Sequence, residues 1–447
     1  MVELVQTQCE SSELFLSSSQ NSFLDRKNTG SYYTPVDACD FFWNEFFALK
    51  SIKNKSEALK FIKEVEFIEP AVGAGIFVFS LIKKLILTGC PLSSLSNLRI
   101  TCFDINGRAL AFVKKNKAKL EEDLHCKLGE WNLVKKDYLK ASLSGRKRQL
   151  VFVGNPPFVK NGSSSLWKNS FADFFEKSYN ADSKADVAFI MPLSFSFSRD
   201  YALLRDYIVQ NESSLYLANF DNIPDCIFKA GKFDTHNTNT ANSQRCTIAY
   251  VFRDNKGKAF STSLIRWKAS ERHLIFTNRP EYHDISDTIG LGQFLRPSSN
   301  KILSYMQGKP ACHLGDMFSN DGKYPLYIAG VARNYISVRK QLSSGGHKLT
   351  FKSQKEFYSL LAIIGSDIFF EYWLTVGDGF HLTKSDIYNF PVSKDLLKWS
   401  VTQERKTKRI WASKSEFLKT KLNAGKKNIS YDFSSVFLFE KSFKKAA

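Results

Sequence analysis

The sequence has no run of 18 or more apolar residues. Its most apolar helical stretch, Phe77 to Leu87, is interrupted by Lys83 and Lys84, which argues against a helical membrane span. Met1 to Ser22 lacks a basic start followed by an apolar run, so no signal peptide is expected. No CxxC occurs: the eight cysteines (Cys9, Cys39, Cys90, Cys102, Cys126, Cys226, Cys246, Cys312) are scattered. That pattern suits reduced thiols in a cytosolic protein and argues against a disulfide frame or a zinc site. The seven histidines are equally dispersed, so no metal is expected, and a lone His such as His381 is more often structural than a ligand. No carboxylate–lysine cluster suggests a fused nuclease, and no internal repeat appears after Lys301. Acidic residues are the scarcer charge, 44 against 63 basic, for a net +19. From Leu396 to Ala447 there are 13 Lys/Arg and 4 Asp/Glu, or +9. Such an excess favours a polyanionic partner, because each neutralised phosphate releases counterions; the bland alternative is a solvated surface.

What is present is a globular chain of 447 residues, 43% hydrophobic with 39 Phe, long enough for two or three domains. Residues 1–29 read as a loosely ordered Ser- and Gln-rich arm with at most one short helix. Tyr33-Thr34-Pro35 then precedes helical spacing over Val36 to Leu49, with Thr34 expected as N-cap and Pro35 in the first turn. A second helix, about Ser56 to Val65, leads to a strand over Glu66 to Ile68. That strand enters Glu69-Pro70-Ala71-Val72-Gly73-Ala74-Gly75, and a helix follows. The turn fits neither GxxxxGK[ST] nor GxGxxG. Glu69 at the strand end would repel a pyrophosphate and would suit an ammonium or sulfonium group. Asp104 ends the next strand, where a carboxylate accepts ribose hydroxyls. Asp137 follows a third, strand-like stretch and could accept from an adenine amino group.

The strand Leu150 to Val153 then runs into Gly154-Asn155-Pro156-Pro157-Phe158. Each Pro fixes φ and pushes its predecessor towards extended geometry, so the loop is stiff. The Asn155 side-chain oxygen and the Pro156 carbonyl can accept both hydrogens of an exocyclic amine, while an exposed Phe158 ring stacks on the base. The bland alternative is an ordinary Asn-Pro turn. Asn161 to Ser165 reads as flexible, Leu166 to Tyr179 as a helix. Asp186–Met191, Leu215–Phe220, Cys246–Phe252 and Ser261–Trp267 read as strands. Asn237 to Arg245 is either a disordered loop or a mobile loop over a substrate. A domain boundary is placed between about 270 and 300. Beyond it, Phe357 to Trp373 reads as one helix with an aromatic face, and the basic tail as a helix that is either laid along phosphates or simply solvated.

Taken together these residues resemble the class I S-adenosylmethionine-dependent methyltransferases, and more narrowly the amino-DNA methyltransferases of bacterial restriction–modification systems. The resemblance spans roughly residues 30–395. It rests on Tyr33-Thr34-Pro35, Glu69 to Gly75, Asp104, Asp137 and Asn155-Pro156-Pro157-Phe158, in the order called gamma, and on Asp378 to Val392, which looks like the end of the target-recognition domain of Taq-type enzymes. It implies an α/β fold: a Rossmann-like mixed sheet flanked by helices, plus a C-terminal α+β target-recognition domain. The implied division is an arm (1–29), a catalytic domain (30–270) and a recognition domain with a basic tail (271–447). The implied cofactor is S-adenosyl-L-methionine, contacted by Tyr33, Thr34, Pro35, Glu69, Ala71, Gly73, Gly75, Asp104 and Asp137; the catalytic loop is Asn155, Pro156, Pro157 and Phe158. The implied activity is methylation of adenine N6 in double-stranded DNA by base flipping, with a cognate restriction endonuclease as a further partner, in the cytoplasm of a bacterium or of a phage host. Methylation of cytosine N4, of RNA or of a protein glutamine stays open, as does a non-catalytic DNA-binding specificity subunit.

Overall fold

The computed structural model describes residues 1–18, 34–162, 165–228, 244–423 and 426–439. Tyr33 and Asn237 to Ser243 therefore lie outside the described residues. The chain divides into two compact units, Met1–Phe294 and Leu295–Ala447.

The first unit is built on one mixed sheet. Its strands are β1 (Val65–Glu69), β2 (Arg99–Asp104), β3 (Glu130–Lys135), β4 (Gln149–Gly154), β5 (Asp186–Pro192), β6 (Ser214–Phe220), β7 (Cys246–Phe252), β8 (Ala259–Ile265) and β9 (His283–Asp284). They lie in the order β3-β2-β1-β4-β5-β7-β6-β8-β9. β1 to β5 run parallel, and β7 is antiparallel to both of its neighbours. β5 and β7 are buried along their whole lengths, which is why both read as continuous apolar runs rather than as alternation. The chain winds outward from β1 to β3, then returns to β4 on the other side of β1. Open α/β sheets bind their ligands at such a reversal, outside the carboxyl ends of the strands, here those of β1 and β4. The expected α/β class thus holds.

Helices cover the sheet. Val36–Leu49 buries Phe41, Phe42, Trp43, Phe46 and Phe47, and the Trp43 indole N–H donates to the Phe77 carbonyl of helix Ile76–Leu87 at 2.8 Å. Residues 2–18 form a 17-residue helix, longer than the short one expected, because Val5, Cys9 and Ser12 bury one side of it and Cys9 Sγ meets Ser80 Oγ at 3.6 Å. Residues 271–294 belong to this unit: β9 pairs with β8, and Arg272 forms ion pairs with Asp37 and Asp225.

The second unit is α+β. Its strands are β10 (Cys312–His313), β11 (Tyr324–Ile328), β12 (Val338–Arg339), β13 (His347–Phe351), β14 (Pro391–Val392), β15 (Leu418–Asn423) and β16 (Lys426–Tyr431). β10 pairs with β14, and the other five form a sheet ordered β13-β11-β12-β16-β15. Two expectations need correction here. The aromatic segment is not one helix but two, Gln354–Ile364 and Asp367–Val376. Gly365 and Ser366 break it, and Ser366 Oγ accepts the Phe369 N–H to start the second. The basic tail is a helix only over Lys394–Ala412; after it β15 and β16 form a hairpin on the sheet edge.

Among the described residues, no helix is long and apolar enough to cross a membrane.

Candidate functional site

At the carboxyl end of β1 the chain must turn sharply to enter helix Ile76–Leu87. Gly73 (φ +52°) and Gly75 (φ +78°) supply left-handed geometry for that turn. A Cβ on Gly75 would come within 3.0 Å of Val113 Cγ2, whereas one on Gly73 would meet nothing within 4 Å, so the turn presents an open backbone face. Val72 N–H donates to the Phe103 carbonyl at 2.9 Å and Gly73 N–H to Asp104 Oδ2 at 2.8 Å. The turn is thereby tied to the end of β2.

Two carboxyl groups stand at this edge. Glu69 is 2% exposed, and its Oε2 is buried with no hydrogen-bond partner among the described residues. Burial, with the charge of Asp104 second, pushes its pKa well above the usual carboxylate range. Asp104 is raised too, by burial, against hydrogen bonds from Asn106, Gly73 and Ile105 that lower it. Its Oδ1 accepts the Asn106 N–H at 2.7 Å. Asp137, two residues past β3, accepts the Leu139 N–H at 3.0 Å and pairs with Lys140 at 3.6 Å. The structure brings Glu69, Gly73, Gly75 and Asp104 together directly; Asp137 caps its own short 3-10 turn.

The Asn-Pro-Pro-Phe loop lies over Glu69. Gly154 has φ +138°, and a Cβ there would sit 3.4 Å from Glu69 Cγ. Asn155 donates through Nδ2 to Thr34 Oγ1 at 3.2 Å. This corrects the expected capping role of Thr34. The helix starts at Val36 with Pro35 at the N-cap and no side-chain cap from Thr34, because the hydroxyl is turned to Asn155. Glu13 Oε2 accepts the Val36 N–H instead, at 3.0 Å. On the far side of the loop, Ser170 Oγ donates to the Pro157 carbonyl at 2.6 Å and accepts the Val159 N–H at 3.1 Å.

Phe158 is not the exposed ring expected. It is 9% exposed, set edge-on to Phe171 at 6.4 Å and to Phe228 at 6.3 Å. A lone aromatic after Pro-Pro reads as exposed because neither partner is near it in sequence. At the described ends of the following stretch, the Asn161 amide donates to Asp173 and to the Trp167 carbonyl, and the Ser165 hydroxyl to Asp173. Reading the sequence also missed Ile105, which is 69% exposed directly after Asp104. An apolar residue following a strand-end acid was the available signal. Phe228 and Ser170 left no signal, since each acts by a contact distant in sequence.

A group carrying a positive charge and hydrogen-bond donors fits what is present: a buried carboxylate oxygen lacking a partner, an open glycine turn and a second carboxylate at the end of β2. Among the described residues no group of three or more His, Cys, Asp or Glu is placed to hold a metal ion.

No protein-family model matches the sequence, and no curated protein matches it. Solved structures resemble it at low identity. A structure described as a DrdV–DNA complex is 17% identical over 74% of this chain and 38% of its own, with a TM-score of 0.49. The type IIG restriction endonuclease BpuSI is 11% identical over 84% of this chain and 61% of its own, at 0.42. The methyltransferase subunit of a type I restriction–modification system from Streptococcus thermophilus is 12% identical over 58% of this chain and 53% of its own, at 0.38. This chain therefore spans about two fifths of the first of these proteins, and likeness at this level assigns no activity.

Proposed function

We propose that the chain is a DNA methyltransferase that moves a methyl group from S-adenosylmethionine to an exocyclic amine of a base, adenine N6 being the amine we favour. The observation that carries the reading is the juxtaposition of two kinds of acceptor at the carboxyl ends of β1 and β4: a buried Glu69 carboxyl packed against Gly154, its Oε2 without a hydrogen-bond partner among the described residues, and Asn155 next in line, held by Thr34.

Glu69 and the backbone at Ala71, Gly73 and Gly75 would hold the methionine end of the cofactor. Asp104 would hold the ribose hydroxyls, and Asp137 the adenine amino group. When bound, S-adenosylmethionine supplies an electrophilic methyl on a sulfonium. The residues do the rest. The target nitrogen is a poor nucleophile because its lone pair is delocalised into the ring. Asn155 Oδ1 and the Pro156 carbonyl would accept its two hydrogens and favour a pyramidal nitrogen as positive charge develops there, a stabilisation by dipoles already in place. The two prolines, with Thr34 holding the Asn155 amide and Ser170 the Pro157 carbonyl, would stiffen the loop that carries those dipoles, so positioning would contribute to the rate. No cysteine nucleophile is required, since no covalent enzyme intermediate forms. A base in a duplex would be flipped out to reach the loop, at a cost of a few kcal/mol.

The first unit would carry transfer, and the second, with its basic tail, would bind duplex DNA. A modification role beside a cognate endonuclease fits this division of labour. The test is methylation-sensitive sequencing of DNA from cells expressing the chain. Methyladenine at one short motif is expected; methylcytosine would move the target to N4, and unmodified DNA would sink the reading.

A further inference from the structure

Two loops of the second unit are locked side by side. Val331 and His381 are directly opposed in an antiparallel bridge, flanked by Ala332 N–H to the Phe380 carbonyl at 2.8 Å and Leu382 N–H to the Gly330 carbonyl at 3.0 Å. This is the arrangement in which the two opposed residues do not bond each other, and their side chains then stand closest together on one face. Both are exposed: Val331 by 40% and the His381 side chain by 60%.

The pair is held more firmly than an exposed loop requires. Asp378 Oδ1 accepts the Phe380 and His381 N–H groups at 2.7 and 2.6 Å, and Asp378 Oδ2 meets His381 Nδ1 at 2.6 Å. The His381 carbonyl accepts the Trp373 indole N–H, and the Leu382 carbonyl lies 2.6 Å from His347 Nε2. Beneath them, Gly330 has no room for a side chain: a Cβ would sit 1.7 Å from the Gly345 carbonyl oxygen. Arg333 extends the ribbon, its guanidinium 4.9 Å above the Phe380 ring.

The carboxylate fixes the tautomer. The Asp378 carboxylate accepts, so Nδ1 of His381 carries the hydrogen, and in that uncharged tautomer Nε2 is the acceptor left to the exposed side of the ring. The outward face thus offers one acceptor and, beside it at the ~5 Å spacing of opposed side chains, two methyl groups. In the major groove an A·T pair displays the adenine N6 hydrogens and, alongside, the thymine methyl; a G·C pair displays no methyl group. The surroundings suit a polyanion: residues 295–447 contain 25 Lys/Arg and 12 Asp/Glu, a net +13.

We propose that the Val331–His381 pair reads one A·T base pair through the major groove of duplex DNA, His381 accepting from adenine N6 and Val331 packing on the thymine methyl. The inference rests on the DNA-modification reading above and names the contacts that give it sequence preference. The ribbon fits the groove, which admits a two-stranded β element.

The test is selection of bound duplexes from a randomised library by the full chain, without cofactor, for the wild type and for Val331→Ala, His381→Phe and His381→Asn. Thermal melts establish that each variant is folded. The wild type should enrich a motif with an A·T pair at one position where His381→Phe lowers the preference about three- to tenfold, the worth of one hydrogen bond. His381→Asn, whose amide still offers an acceptor, should retain it. Uracil in place of that thymine should weaken the wild type about fourfold, the worth of one buried methyl group, and should barely affect Val331→Ala. An unchanged motif in the folded variants, a uniform loss with no position affected, equal uracil sensitivity in both proteins, or no enriched motif at all would overturn the proposal. Because selection reads binding alone, a chain that selects this motif yet transfers no methyl group sinks the proposed activity and leaves this inference standing; methyl transfer with an unchanged motif does the reverse.

Discussion

Residues 1–294 carry 38 Lys/Arg against 32 Asp/Glu, while residues 295–447 carry 25 against 12. In the nearly balanced unit, several arginines are paired internally. Arg272 is matched by Asp37 and Asp225, and Arg245 and Arg266 by Asp221, leaving Glu69 as the buried carboxyl without a counter-charge among the described residues. The basic unit turns its charge outward, as at Arg405, Lys408 and Arg409 on helix Lys394–Ala412. On the proposed function, one unit would hold an isolated acid for a small cation, and the other would offer a field to a long anion.

The strongest way to break the comparison is at Asn155. Asn155→Ala should lower turnover by about a hundredfold or more, the usual effect of removing one preorganised acceptor, while cofactor affinity stays nearly unchanged. Turnover above a tenth of wild type would remove Asn155 from the chemistry.

Glu69→Gln comes next, and it should separate binding from stability. The folded carboxyl titrates well above its ordinary 4.5, so the stability it contributes is complete below that value and is lost as pH rises through the folded pKa. Glutamine stays neutral at every pH. Its melting temperature should therefore exceed that of the wild type, by a margin that grows as pH rises above about 4.5. Cofactor binding should fall by ~1.5–3 kcal/mol, the worth of one charge-assisted hydrogen bond, and its rise with pH should vanish. Calorimetry across pH, with thermal melts, checks both; unchanged affinity would mean that the buried acid is only a strain in the fold.

Asp104→Ala should cost cofactor affinity a similar ~1.5–3 kcal/mol and release the Gly73 N–H as well. Asp104→Asn, which keeps an acceptor for Gly73, should lose less. Equal losses would assign Asp104 to holding the turn rather than to the ribose.

The smallest effect sharpens the contrast of charge. Converting Arg405, Lys408 and Arg409 to Gln should flatten the slope of log K against log salt for DNA by about 2–3, roughly 0.9 for each phosphate no longer neutralised. The same change at the exposed Lys114, Lys115 and Lys119 of the first unit should leave the slope alone. Equal flattening would mean that net charge, not its placement, governs binding. Removing residues 396–447 would not isolate the effect of charge, because β16 pairs with β12 inside the sheet.

Much of the first unit was legible because its polar residues stand where apolar runs stop. Glu69 and Asp104 each end a largely buried strand and Asn155 follows one, and hydrophobic patterning marks where strands end. The positions of Thr34 and Phe158 were not legible, since their orientation is set by Asn155, Phe171 and Phe228, contacts that no local pattern encodes. In the second unit the strands are short and the sheet joins β12 to β16 across more than ninety residues of chain. Alternation over two to six residues is too weak a signal to announce such a sheet. The Gly365-Ser366 break was visible as a helix stop followed by a cap residue, yet the aromatic spacing on either side outweighed it.

The carboxylate of Glu13 has a reach well beyond its own helix. It caps Val36, which lies two residues past Thr34, and Thr34 receives the amide of Asn155. A truncated version starting near residue 30 would keep every strand of the three sheets yet lack that cap. Its expected defects are in turnover at saturating cofactor and in melting temperature, since the helix over residues 2–18 also buries Val5 and Cys9.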